Sequence, residues 1–301
     1  MIAKTVFTAL AAALLSLPHA SPAHAQAAQS AMTPARFSVE VVGQGPDVIL
    51  IPGLATPREV WRPTAEALKD GHRIHLVQIR GFGEPAGANA EGPVLEAFVE
   101  ELADYIEEQG LAGSAVVGHS LGGLAALMLA IDHGDLPGRV MVVDALPFYG
   151  VLAARPGEAV TAESIEPQAR MLRDQLAATY GKPADTAAAR QTAQSQALAP
   201  ASHERIAEWV AAADPRVTGQ LVYDDLTTDL RERVSEIDLP VTLVFPWNET
   251  YPTQPQADAF YRSQYAALPQ TTFVGVGPSG HFVMLDKPEE MRAAIAAFLG
   301  S

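Results

Sequence analysis

The chain of 301 residues contains no cysteine. A disulfide framework, a thiolate metal site and a cysteine nucleophile are thereby excluded. Any covalent catalyst must be Ser, Thr, Asp, Glu or Lys. Basic residues are scarce, 20 Lys and Arg against 35 Asp and Glu, for a formal charge of −15. Nucleic acid is not an expected partner, because a phosphate backbone demands a basic patch. Attraction to anionic membranes is disfavoured for the same reason. Aromatic residues make up only 7%. The apolar run Thr5 to Leu17 falls short of the roughly 20 residues that a spanning helix needs. Phosphate-binding loops and clusters of metal ligands are also missing, so no metal and no organic cofactor is expected.

What is present begins with a leader. Lys4 supplies a short positive region, Thr5 to Leu17 an apolar one, and Pro18 a break before Ala23-His24-Ala25. That order is the pattern of a signal peptide cleaved after a small-x-small site. Residues 1–25 are therefore expected to direct export, leaving 26–301 as the mature chain in a periplasm or outside the cell. Without cysteines, an oxidising compartment poses no problem for it.

Beyond the leader, strand and helix signals alternate. Phe37 to Val42 alternates like a strand and ends in Gly43-Gln44-Gly45-Pro46. Val48 to Ile51, His75 to Ile79, Ser114 to Val117 and Val140 to Val143 read as short buried strands. Helices are expected over Glu59 to Lys69, through Leu95, Phe98, Val99, Leu102 and Ile106 at helical spacing, and over Leu121 to Ile131. From about 148 to 237 no strand alternation occurs, only helical stretches such as Ala162 to Tyr180 and His203 to Ala212. The alternation resumes with Val241 to Phe245, a helix near Ala257 to Ala267, Thr272 to Val276 and a last helix over Pro288 to Leu299. Asp286 stands where it would cap that last helix. Continuously apolar strands separated by helices predict an α/β fold, a mostly parallel central sheet with helices on both faces. The stretch 148–237 is then an inserted helical cap.

Gly118-His119-Ser120-Leu121-Gly122 fits G-x-S-x-G between a buried strand and a buried helix. The chain must reverse so tightly there that Ser120 is strained, and glycines remove the side chains that would clash. The turn also sets the hydroxyl at the positive end of a helix, where a developing oxyanion is stabilised.

Through Pro52-Gly53-Leu54, Gly118-His119-Ser120-Leu121-Gly122-Gly123 and Gly280-His281-Phe282, the sequence resembles the α/β-hydrolase family from about Phe37 to Leu299. The resemblance implies Ser120 as nucleophile and His281 as its general base. Of the six histidines after the leader, His281 alone follows the last strand, in a Gly-rich loop. Two residues are open as the third, acidic member. Glu249 lies in the loop where the family commonly carries its acid, but that loop reads Pro246-Trp247-Asn248-Glu249-Thr250 instead of glycine followed by aspartate. Asp144 ends the strand after the elbow helix, a position that some members, haloalkane dehalogenases among them, use. The resemblance also implies an oxyanion hole from the backbone N–H groups of Leu54 and Leu121, although the family's usual histidine before that glycine is Pro52 here.

Acyl transfer on a small-molecule ester is the expected chemistry. Met171, Leu172, Leu176, Tyr180, Trp209 and Leu221 are candidates for an acyl pocket or for the cap's own core, and Trp247 for a pocket wall. An aminopeptidase or amidase of the same fold is the alternative, the acidic cap offering a recess for an amine. A non-catalytic binding protein is a third reading, but it would be expected to have lost the serine or the histidine.

Overall fold

A computed structural model describes residues 34–153, 159–250 and 252–300. The expected signal peptide lies outside these residues. The strands are β1 (Phe37–Gly43), β2 (Asp47–Ile51), β3 (Arg73–Ile79), β4 (Ser114–His119), β5 (Pro137–Val143), β6 (Val241–Pro246) and β7 (Thr272–Val276). They form one sheet in the order β1-β3-β2-β4-β5-β6-β7. All pairs are parallel except β1 with β3. The alternation noticed at Phe37 to Val42 belongs to this antiparallel edge, where one face is open to water.

The inner strands are apolar throughout because both faces are covered. Successive residues enter opposite cores. Ile49, Ile51, Val116, Val140, Val142 and Leu243 pack into one cluster with α2 (Leu95–Glu108) and α3 (Leu121–Asp132). Val48, Leu50, Val117, Met141, Val143 and Val244 pack into the other, with α1 (Arg62–Leu68), α9 (Val283–Asp286) and α10 (Pro288–Leu299). Trp61 is fully buried in that second layer and donates its indole N–H to Ile51 O at 3.1 Å.

Between β5 and β6 the chain forms α4 (Ala162–Ala177), α5 (Thr186–Gln196), α6 (Pro200–Ala212) and α7 (Pro215–Thr227). Two of these, α5 and α7, carry no clear signal in the sequence. The buried positions of α5 are Ala189 and Ala193, too small to mark a hydrophobic period. Helix α7 starts on a Pro at its first position and on Asp214, whose side chain accepts from Arg216 N–H. Helix α8 (Gln254–Gln264) begins three residues before the expected Ala257, on a capping box between Thr253 and Gln256.

One expectation fails. Asp286 does not cap α10, whose N-cap is Lys287 with no side-chain bond. It ends α9 instead, and its carboxylate accepts three backbone N–H groups from elsewhere. No described helix is long and apolar enough to cross a membrane.

Candidate active site

The parallel strands deliver the predicted residues to one edge of the sheet, their carboxyl ends. This is where open α/β sheets bind ligands. Ser120 follows β4 with φ 54° and ψ −124° and opens α3. The turn tolerates no side chain on either flank. A Cβ on Gly118 would lie 2.0 Å from Gly122 O, and one on Gly122 2.6 Å from both Ile51 O and Pro52 O. The loop after β2 is pressed against Ser120 as well, since a Cβ on Gly53 would stand 3.0 Å from Ser120 Cβ. Ala55, Ser120 and Asp144 are the non-glycine residues with positive φ among those described, and all three follow strands at this edge. Each such residue costs roughly 1–3 kcal/mol, and such strain gathers at functional sites.

His281 follows β7, and its Nδ1 lies 2.6 Å from Asp144 Oδ2. The other oxygen, Oδ1, accepts the hydroxyl of Tyr261. Four residues on, at the C-cap of α8, Tyr265 donates to Ala145 O at 3.0 Å. Burial pushes the Tyr261 hydroxyl well above the ordinary phenol range, and the adjacent Asp144 charge adds to this. Tyr261 therefore remains a donor at any working pH. No hydrogen bond joins Ser120 Oγ to the imidazole among the described contacts, and such bonds often tighten only around substrate.

Residues 48–294 match the alpha/beta hydrolase family. The chain belongs to that family. Over 213 residues it is 28% identical to a pimeloyl-[acyl-carrier protein] methyl ester esterase of Vibrio cholerae, covering 68% of this chain and 77% of that one. It is 24% identical over 267 residues to an sn-1-specific diacylglycerol lipase of Mus musculus, covering 84% and 81%. Among solved structures, a thermophilic esterase from Thermogutta terrifontis superposes with a TM-score of 0.72. It is 20% identical, and the match covers 87% of this chain and 92% of that one. An enol-lactonase from Burkholderia xenovorans superposes at 0.69 with 18% identity, covering 88% and 96%.

The second acid candidate of this alpha/beta hydrolase stands apart. Glu249 is exposed and makes no hydrogen bond or ion pair among the described residues. Trp247 is half-buried, with its ring against Gly277 and its carbonyl accepting Ser279 N–H at 2.8 Å. In the cap, Met171 and Tyr180 are exposed, Leu172 packs on a small cluster around Phe148, and Leu221 is buried in the main core. Tyr261 was the residue that sequence reasoning missed. Its only signal was a second tyrosine one helical turn later, on the helix that packs against β6 and β7.

His119, inside the elbow motif, is 1% exposed. Its Nε2 lies 3.0 Å from His281 O. A carbonyl can only accept, so Nε2 carries the proton and Nδ1 is bare, buried and without a partner. Burial and the neighbouring His281 push this imidazole well below the ordinary range. The unfolded chain takes a proton near pH 6.5 that the native chain refuses. His119 therefore contributes stability above that pH, and the contribution is lost as pH falls below it. His75, lowered by burial against the pull of Asp47, acts with the same sign. Urea unfolding should show stability falling from pH 7 to 5, with a shallower fall in His119→Gln. Equal slopes in the two proteins would remove His119 from the account.

Proposed function

We propose that this protein is a serine hydrolase that cleaves carboxylic esters through an acyl-enzyme intermediate, with Ser120 as nucleophile, His281 as general base and Asp144 as the acid. The observation that carries the reading is a strained serine on a strand–helix turn, at the same sheet edge as an imidazole whose Nδ1 is held by a carboxylate at 2.6 Å. Ester cleavage is supported by the names its relatives carry, a methyl ester esterase and a diacylglycerol lipase among them.

Asp144 binds Nδ1–H, so Nε2 is left bare to take the Ser120 proton. The alkoxide attacks the ester carbonyl, and negative charge moves to its oxygen. Leu121 N–H, the first of α3 and without an intrahelical acceptor, and Leu54 N–H receive that charge. Each such donor is worth roughly 3 kcal/mol. The imidazolium then protonates the departing alcohol, and a water activated by the same base releases the acid. Trp247 is part of the pocket wall in this reading, which its bond to the His281 loop supports. The substrate is a small or medium ester. The chain is exported, as the leader pattern suggests, and the intact mass of the recovered protein should begin at Gln26.

One observation favours the aminopeptidase or amidase alternative. Asp225, in the last turn of α7, lies in the electrostatic reach of His281, and burial pushes its carboxyl up to about 7. A substrate ammonium beside it would favour the ionised form and pair with it. Turnover of p-nitrophenyl esters against aminoacyl p-nitroanilides tests both readings. Faster ester turnover is expected, and anilide preference that disappears in Asp225→Asn would replace the esterase reading.

A further inference from the structure

The turn that carries His281 is held by a carboxylate with no part in the proton transfers. Asp286 Oδ2 accepts Gly280 N–H, the residue before His281, at 2.8 Å. The same oxygen accepts Leu198 N–H at 2.8 Å, and Oδ1 accepts Ala199 N–H at 2.8 Å. Leu198 and Ala199 lie in the link between α5 and α6. The end of α5 meets the same turn again where Phe282 N–H donates to Gln196 O at 3.2 Å. Helices α5 and α6 and their link share the apolar layer of Phe282, Val283 and Met284 through Ala193, Ala197 and Ile206. Helices α4 and α7, by contrast, bury Ile165, Ala169 and Leu226 with Phe148 in a cluster of their own.

Three backbone donors on one carboxylate are a strong and directional arrangement, because hydrogen bonds to an ionised group are about twice as strong as neutral ones. Loss of the charge leaves N–H groups turned toward a site that no longer accepts them all. An asparagine has one acceptor oxygen, so its NH2 must face at least one of the three donors. The residue that moves first is Gly280, directly bonded to His281.

We propose that Asp286 is a positioning residue for His281. It ties the catalytic turn to the α5–α6 link, so that the imidazole keeps its bearing on Ser120 and Asp144. The role given to His281 here rests on the serine-hydrolase reading. A displacement of about 1 Å at a reacting group costs about a hundredfold in rate, and a loosened turn should cost part of that.

The test compares wild type, Asp286→Asn, Asp286→Ala and Ala199→Pro by ester kinetics, fluorophosphonate labelling and proton NMR of the His281 Nδ1–H resonance. Ala199 has φ −75°, which suits proline, so that variant removes one donor and leaves the Gly280 bond. For Asp286→Asn, kcat should fall by about thirtyfold with KM within about threefold. Every molecule should still label, but slowly, and the Nδ1–H resonance should shift. Ala199→Pro should lower kcat by a smaller factor in the same direction. If the labelled fraction falls in step with kcat while labelled molecules react at the wild-type rate, Asp286 only stabilises the fold and the proposal is overturned. Should neither Asp286 variant fold, an unchanged kcat and resonance in Ala199→Pro overturns it. A wild type that takes no label, with a resonance that still shifts in Asp286→Asn, sinks the hydrolase reading and leaves the positioning role standing.

Discussion

Ser120→Ala should lower kcat by about a million-fold, His281→Ala by a similar factor, and the double variant by no more than either alone. In the proposed mechanism nucleophile and base act as one unit, so the first loss removes nearly everything the second could remove. The strained turn should survive the change, since alanine keeps the Cβ that already fits beside Gly53. KM for a p-nitrophenyl ester should therefore move little. Rate over the uncatalysed reaction should remain about a thousandfold, from the Leu54 and Leu121 donors and from binding. A fluorophosphonate should add one equivalent to wild type and none to Ser120→Ala. Labelling of the alanine variant, or additive losses in the double variant, would mean that another residue is the nucleophile.

The second large effect separates the two acids. Asp144→Asn should lower kcat by about ten thousand-fold, while Glu249→Gln should stay within about twofold of wild type. The reason lies in Tyr261. Its hydroxyl donates to Oδ1 of Asp144, so in the asparagine variant it claims the amide oxygen. The amide NH2 is then turned toward His281 Nδ1, which must accept. The imidazole proton moves to Nε2, and the base that faces Ser120 is lost. Tyr261→Phe relaxes this constraint, so Asp144→Asn with Tyr261→Phe should recover part of the loss. Stopped-flow measurement of acylation is the direct check. Glu249, exposed and not the carboxylate that meets His281 Nδ1, has no route to such an effect.

Much of the fold was legible because the inner strands are buried on both sides. Val48 to Ile51 and Val140 to Val143 read as unbroken apolar runs, and they alternate between two cores in the structure. Helices that bury large side chains, such as α2 through Leu95, Phe98, Val99 and Leu102, were equally visible. Helix α5 was not, because alanine buries without standing out from its neighbours. Asp286 shows a different limit. An aspartate before Lys287-Pro288 has the local pattern of a helix cap, yet its partners are Gly280 and two residues 87 and 88 positions earlier.

The sequence alone determined the α/β alternation and the elbow, since strand, turn and helix there are neighbours in the chain. The clash that requires Gly118 is local, against Gly122 O, whereas the one that requires Gly122 comes from Ile51 and Pro52 across the sheet. His281 was singled out by its place after the last strand. Its carboxylate partner was not. Asp144 and His281 are 137 residues apart, and whether they meet depends on how far β5 and β7 stand from each other at one edge of the sheet. The cap, Tyr261 and Asp286 follow the same rule. Their places are set by through-space contacts, such as Tyr261 to Asp144 and Asp286 to Gly280, which no spacing along the chain encodes. Only the packed sheet could decide them.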